Sequence, residues 1–211
     1  MKIAFIGYGK VGAPLADRLQ RLGHTVTLAA RDAASEAVRH AQTRNPGLTP
    51  APVEQAVREA DIVFLATPYA AASEVLTPLA DALAGKVLVD CTNPVGPGLS
   101  HGLDSRTSGS ETLQALVPKA RLVKAFTIYG YENFEDNVFP GYDVKPCMMF
   151  CGEDVEAKEI ISGLLTDLDW DPLDIGGLNQ ALHLEHMTLL WVRFVRVQGH
   201  SPGLVWAALK R

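Results

Sequence analysis

Three glycines in the run Gly7-Tyr8-Gly9-Lys10-Val11-Gly12 have the spacing of a turn that presents bare backbone to a diphosphate. Their context sharpens that reading. The apolar run Lys2–Ile6 precedes them, and Val11, Leu15, Leu19 and Leu22 recur behind them at helical spacing. In a strand–turn–helix of this kind the first glycine permits the tight turn and the second lets backbone reach the pyrophosphate. The third allows close packing of helix on sheet. The helix N-terminus adds N–H donors and a positive partial charge. A dinucleotide cofactor is therefore expected, with Gly7, Tyr8, Gly9, Lys10, Val11 and Gly12 forming its phosphate loop.

The end of the second strand chooses between cofactors. A ribose 2′-hydroxyl calls for a carboxylate there, whereas a 2′-phosphate repels a carboxylate and attracts arginine. Here Thr27-Leu28-Ala29-Ala30 is followed by Arg31, so Arg31 is expected to hold the 2′-phosphate of NADP(H). Asp32, one residue further, is read as the cap of a helix over 33–40. Two more segments follow strands on the same edge of the sheet. Ala66-Thr67-Pro68 is expected beside the bridge between the adenosine and nicotinamide halves, and Asn93-Pro94 beside the nicotinamide.

Other chemistry is poorly supplied. Alcohol dehydrogenation needs a general base, usually Lys, His or Tyr. Lys124 falls inside an expected buried strand, and Lys119 is expected on the surface. His183 and His186 flank Glu185 but lack a third ligand, so they are read as core or surface histidines and not as a zinc site. Tyr129 and Tyr131 could line a pocket or simply pack. No side chain is assigned as acid or base. Cys147 and Cys151 would stand about 13 Å apart on one strand, beyond disulfide reach. With Cys91 they make three cysteines that cannot all pair, and a reducing compartment fits them.

The elements that must position these residues alternate along the chain. Strands are expected at 2–6, 25–29, 61–66, 86–90 and 121–126, with helices near 11–22, 33–40, 52–60, 70–83 and 110–117. Ser108 and Glu111 have capping-box spacing for the last of these. A strand over 146–151, a helix capped by Asp154, an edge strand over 170–175 and a long helix over 178–198 follow. Ser201-Pro202 is expected to cap a short final helix. Repeated strand–helix units with continuous apolar strands predict an α/β fold built on a doubly wound, mostly parallel sheet of Rossmann type. Residues 1–126 would form the cofactor domain, and 127–211 a small C-terminal α/β extension ending in helices. The Pro-, Gly- and Ser-rich stretch 93–108 has no apolar period and is read as an active-site lid over a disordered insertion.

Bulk properties exclude several classes. Among 211 residues the formal charge is −5, which leaves no basic excess for a nucleic-acid partner. The apolar run 178–198 carries Glu185, Arg193 and Arg196, so no membrane span is expected. The opening apolar run is too short for a signal peptide, and a cytoplasmic protein is expected. Leu182, Leu184, Met187, Leu189, Leu190, Trp191, Val192, Phe194, Val195 and Val197 cover more than one face of the long helix. A second subunit, in a homodimer, is expected to cover them.

The residues also carry a family likeness. The chain resembles the NADPH-dependent deazaflavin (coenzyme F-420) reductase family across essentially its whole length. The matching features are the glycine loop, Gly23-His24-Thr25-Val26 leading to Ala29-Ala30-Arg31, and the segment from Asp90 to Pro94. To these are added Ser108-Gly109-Ser110-Glu111, Leu116-Val117-Pro118, Val123-Lys124-Ala125-Phe126 and Cys151-Gly152-Glu153-Asp154. The core is similar, too, to the cytoplasmic domain of the STEAP metalloreductases. The resemblance implies NADPH on the residues named, joined by Thr127, which stands where many relatives carry asparagine. It implies an acceptor ring stacked between the nicotinamide and the C-terminal elements. The function expected is hydride transfer between NADP(H) and a small deazaflavin or flavin-like co-substrate, a reaction in which positioning carries most of the catalysis. Its rivals are a non-catalytic NADP(H)-binding regulator and a reductase of another small acceptor.

Overall fold

Runs such as Ile62–Leu65 are buried at every residue, with no polar alternation, because helices cover both faces of the sheet they join. A computed structural model describes residues 1–209 and 211. Its strands are β1 Lys2–Ile6, β2 Thr25–Ala30, β3 Thr49–Pro52, β4 Ile62–Leu65, β5 Val87–Asp90, β6 Arg121–Lys124, β7 Cys147–Gly152 and β8 Asp171–Asp174. Its helices are α1 Gly12–Arg21, α2 Glu36–Arg44, α3 Val53–Glu59, α4 Tyr69–Leu76, α5 Gly109–Leu116, α6 Glu132–Glu135, α7 Val155–Asp167 and α8 Ala181–Val192.

All eight strands form one sheet in the order β3-β2-β1-β4-β5-β6-β7-β8. Pairing is parallel from β3 through β6, antiparallel between β6 and β7, and parallel again to β8. The doubly wound α/β fold read from the sequence is the fold found. The strand order reverses between β1 and β4, and crevices at such switch points are where open α/β sheets take ligands. Beneath it Phe5 stacks on Phe64 with centroids 4.6 Å apart, and Phe126 follows at 5.7 Å from Phe64.

The structure differs from the sequence expectation in several places. β3 was not expected because Pro50 and Pro52 lack the N–H of a ladder. As an edge strand it bonds on one side only, where proline is tolerated. Asp32 does not cap α2. Its carboxylate accepts from the Ala34 N–H at 2.8 Å, while Ser35 accepts from Val38 at the true helix start. α4 ends at Leu76, since Pro78 tightens the chain into a short 3-10 turn over Thr77–Leu79.

The segment after Ser201-Pro202 forms no helix among its described residues. Its backbone is used by the sheet instead: the Trp206 carbonyl accepts from the Cys147 N–H at 2.8 Å, where β7 begins. A stretch this short gains too little from local helix bonds to compete. The long helix runs on through a wide turn over Arg193–Val197. Its apolar excess is largely answered within the chain, with Leu184, Leu189, Trp191 and Val195 buried and only Leu190 and Val197 of this set exposed.

Candidate cofactor site

The glycine loop leaves β1 beside the end of β4, where the Ala66 N–H donates to the Ile6 carbonyl at 2.8 Å. Gly7 has φ +92°, and a Cβ there would fall 2.7 Å from the Ala66 carbonyl. A Cβ on Gly12 would fall 2.0 Å from the Gly7 oxygen and 3.2 Å from the Ala66 Cβ. These two glycines lock the turn against the β4–α4 connection. Gly9 is different: a Cβ there would meet nothing within 4 Å. The N–H groups of Gly9, Lys10 and Val11 donate to no group among the described residues. Tyr8 and Val11 are half-buried against the core, and the exposed Lys10 holds its ammonium 5.0 Å from the Tyr131 ring centroid.

Arg31 is exposed just beyond β2 and has no hydrogen bond or ion pair among the described residues. Along the carboxyl edge, Pro68 opens α4, and the Thr67 hydroxyl is buried without a partner. The Thr127 hydroxyl is orphaned in the same way. Phe126 has φ +55°, a conformation rare for an aromatic residue, and there the chain turns off β6 into Thr127. The Thr188 hydroxyl of α8 lies 3.1 Å from Asn93 Oδ1, 2.8 Å from the Thr127 carbonyl and 3.0 Å from the Leu184 carbonyl. It ties the two expected nicotinamide neighbours, Asn93 and Thr127, to one helix. An open backbone cradle, unpaired N–H groups, an uncommitted guanidinium and two orphaned hydroxyls fit a phosphorylated dinucleotide along this edge.

The stretch 93–108 is closed on itself. Gly96 N–H donates to Ser100, and Gly102 N–H to Pro94 at 2.6 Å. Arg193 donates to the Leu99 carbonyl at 3.2 Å, which fastens the loop to the end of the long helix.

A cluster that sequence reasoning set aside lies at the ends of β5 and β6. Asp90 and Lys124 are register partners, on the level where Ile6 pairs Leu65 and Leu65 pairs Asp90. The Lys124 ammonium, fully buried, sits 3.2 Å from Asp90 Oδ2 and 3.1 Å from Glu185 Oε1, and donates to the Thr92 carbonyl at 2.7 Å. Asp90 also accepts from the Thr92 N–H at 2.9 Å and the Ser110 hydroxyl at 2.6 Å. Glu185, reaching in from α8, accepts from the Gly109 N–H at 2.9 Å and from His101 Nε2 at 2.7 Å.

The tautomer of His101 follows from its other nitrogen. Nδ1 accepts from the N–H groups of Leu103 and Ser105, each at 3.2 Å, so the proton is on Nε2 and the ring is neutral. Burial alone would push the Lys124 ammonium down, but Asp90 and Glu185 outweigh it and hold Lys124 above its ordinary value. Charged residues ending the apolar runs Val87–Asp90 and Arg121–Lys124, with Glu185 inside an apolar helix, were the available signal. His101 offered none.

His183 and His186 are both exposed, and no group of three metal-binding side chains occurs among the described residues. Cys91, Cys147 and Cys151 are all buried, and no disulfide joins them. Tyr129 packs, its hydroxyl bonded to the Cys147 carbonyl and the Trp206 N–H. A cavity of about 340 Å³ is lined by Phe139, Tyr142, Val144, Leu204 and others, and by none of the expected cofactor residues.

Comparison with known proteins bears on residues 2–94, which match the family model of coenzyme F420-dependent NADP oxidoreductases. That stretch holds every expected cofactor residue except Thr127. The chain is 27% identical over 209 residues to the F420-dependent NADP reductase of Methanocaldococcus jannaschii, covering 91% of each. It is 30% identical over 193 residues to the metalloreductase STEAP3 of Rattus norvegicus, covering 89% of this chain but 36% of that protein. This chain thus spans about a third of that longer relative. A crystal structure from Arthrobacter sp. FB24, assigned provisionally as an F420-dependent NADP reductase, superposes with a TM-score of 0.83 at 29% identity, over 94% of this chain and 95% of that one.

Proposed function

The chain is related to the coenzyme F420-dependent NADP oxidoreductases, and on that premise we propose that it transfers hydride between NADP(H) and a deazaflavin or flavin-like acceptor. The observation that carries the reading is the contrast among the three glycines: Gly7 and Gly12 are packed tight while Gly9 faces open space. A turn that served only to reverse the chain would not need the middle glycine. Gly9, Lys10 and Val11 would hold the pyrophosphate through backbone N–H groups, and Arg31 the 2′-phosphate. Thr67, Asn93, Pro94 and Thr127 would border the nicotinamide half, the orphaned hydroxyls of Thr67 and Thr127 finding partners there.

When bound, the cofactor supplies the hydride, and the protein's part is to orient it and exclude water. We assign cofactor binding to residues 1–126 and the acceptor face to elements within 127–211. No helix among the described residues is long and apolar enough to cross a membrane. With this we propose a cytoplasmic homodimer, supported by the exposed Leu190 and Val197 on the long helix and tested by light scattering. The function itself is tested by NADPH oxidation with a panel of acceptors. Turnover with a deazaflavin or flavin far above the enzyme-free rate is expected. Tight NADPH binding with no turnover on any acceptor would favour a regulator.

A further inference from the structure

We infer that the buried Asp90–Lys124–Glu185–His101 network carries one uncompensated negative charge, and that this charge makes the crevice favour the oxidised dinucleotide over the reduced one. The inference rests on the function proposed above and deepens it, since it assigns a direction: the site is built to help NADPH give hydride up.

The charge count follows from the hydrogen bonds. Asp90 and Glu185 only accept, from the Thr92 and Gly109 N–H groups, the Ser110 hydroxyl, His101 Nε2 and Lys124. Neither is left needing a proton of its own. Lys124 contributes one positive charge, and His101, accepting at Nδ1, contributes none. Two carboxylates against one ammonium leave a single negative charge. Among the described residues no other cation pairs with either carboxylate. The Asp90, Lys124 and Glu185 side chains are 0%, 0% and 1% exposed, so water does little to screen that charge.

Its position matters as much as its sign. Asp90 stands level with Leu65 and Ile6 in the register, two strands from the glycine loop, or about 10 Å at ordinary strand spacing. Three residues beyond Glu185 on α8, Thr188 reaches Asn93 and the Thr127 carbonyl. The network therefore stands behind the part of the crevice assigned to the nicotinamide.

The oxidised and reduced cofactors carry identical phosphates but differ by one positive charge on the ring. Loss of hydride removes two electrons and one proton together and leaves the ring cationic; the acceptor takes the hydride and one proton from solvent. A fixed negative charge nearby stabilises the cationic form, and in the ratio of the two affinities the phosphate contacts cancel. Over about 10 Å at an effective dielectric of about 20, one charge is worth about tenfold in that ratio. If the network merely pinned the 93–108 loop, both affinities would move together.

The experiment titrates the wild-type protein, Glu185→Gln and Asp90→Asn separately with NADP+ and NADPH, with no acceptor present. Thermal melting first establishes which variants fold. The wild type is expected to bind NADP+ at least as tightly as NADPH. Each neutral variant should shift the ratio about tenfold toward NADPH. A wild-type protein that prefers NADPH by tenfold or more overturns the inference, and that measurement stands even if both variants fail to fold. So does an unmoved ratio in a folded variant that binds both forms. Binding of neither form by the wild type would defeat the proposed function itself, and this inference with it.

Discussion

Along the carboxyl edge of the sheet, the turn after β1 offers bare backbone, whereas the ends of β5 and β6 offer buried charge. The first region is local. Six consecutive residues build it, Gly7 and Gly12 are packed to well under van der Waals distance of a would-be Cβ, and Gly9 is left open. The second is assembled from side chains at 90, 101, 124 and 185, drawn from two strands, a loop and the long helix. A backbone cradle is emptied of side chains so that something else can enter. A buried ion network has its donors and acceptors already satisfied, and shapes its surroundings by field and by rigidity. The two should therefore fail in different ways when mutated: the cradle by losing both forms of the cofactor with the fold intact, the network first by losing stability.

The largest effect is expected at the network. Lys124→Met leaves Asp90 and Glu185 buried without their cation, and removing one partner of a buried pair costs about 3–5 kcal/mol. For a chain of this length that is a fall in Tm of about 10 °C. A melting temperature within a degree or two of wild type would show that the network is not a stabilising unit.

Gly9→Val comes next and should show the opposite pattern. The added branches meet no protein atom at Cβ, so the fold should hold. They occupy the space assigned to pyrophosphate, and NADPH affinity should fall at least about a hundredfold, roughly 3 kcal/mol. Native-like melting with undiminished NADPH affinity would erase the distinction between the two regions. Arg31→Ala sharpens it further. Losing a charge-assisted contact to phosphate should cost about 1.5–3 kcal/mol for NADPH and almost nothing for NADH. Equal losses for both cofactors would remove Arg31 from the 2′-phosphate.

The same difference explains what the sequence could reveal. The glycine loop was legible because its signal is contiguous and its context, strand before and helix after, is periodic. The doubly wound sheet was legible for the same reason, down to the edge strand β8. β3 was hidden by its prolines, and the start of α2 was misplaced because Asp32 and Ser35 are both good caps, which only the tertiary course of the chain tells apart. The tail after Ser201-Pro202 carried helix-start signals, but its backbone is taken by Cys147 and Tyr129, residues far away in sequence. His101 could not be found at all. Its partner lies 84 residues on, and a lone histidine in a Pro- and Gly-rich loop gives no periodic clue.

The smallest effect is expected at Ser108, where a local motif of the first kind touches the network. Ser108 caps α5: its hydroxyl accepts from the Glu111 N–H at 3.0 Å, and its own N–H donates to the Glu111 carboxylate at 2.9 Å. The next residue, Gly109, donates its N–H to Glu185. Ser108→Ala removes the hydroxyl and spares both N–H groups, so a loss of about 1 kcal/mol, or 2–4 °C in Tm, is expected. Glu111 gives this loss a pH dependence. The Ser108 N–H, against the opposing effect of burial and with help from the Ser108 and Thr107 hydroxyls, holds the Glu111 carboxyl below its usual value near 4.5. A carboxyl depressed on folding contributes stability above its unfolded pKa and loses it as pH falls through the folded one. The gap between wild type and Ser108→Ala, measured by chemical denaturation, should therefore be widest near neutral pH and narrow below about pH 4.5. A gap that does not change with pH would mean that the hydroxyl stabilises the helix backbone alone. A loss as large as that of Lys124→Met would mean that the cap and the network unfold as one unit through Gly109, and the two regions would then differ in how they are built but not in how they fail.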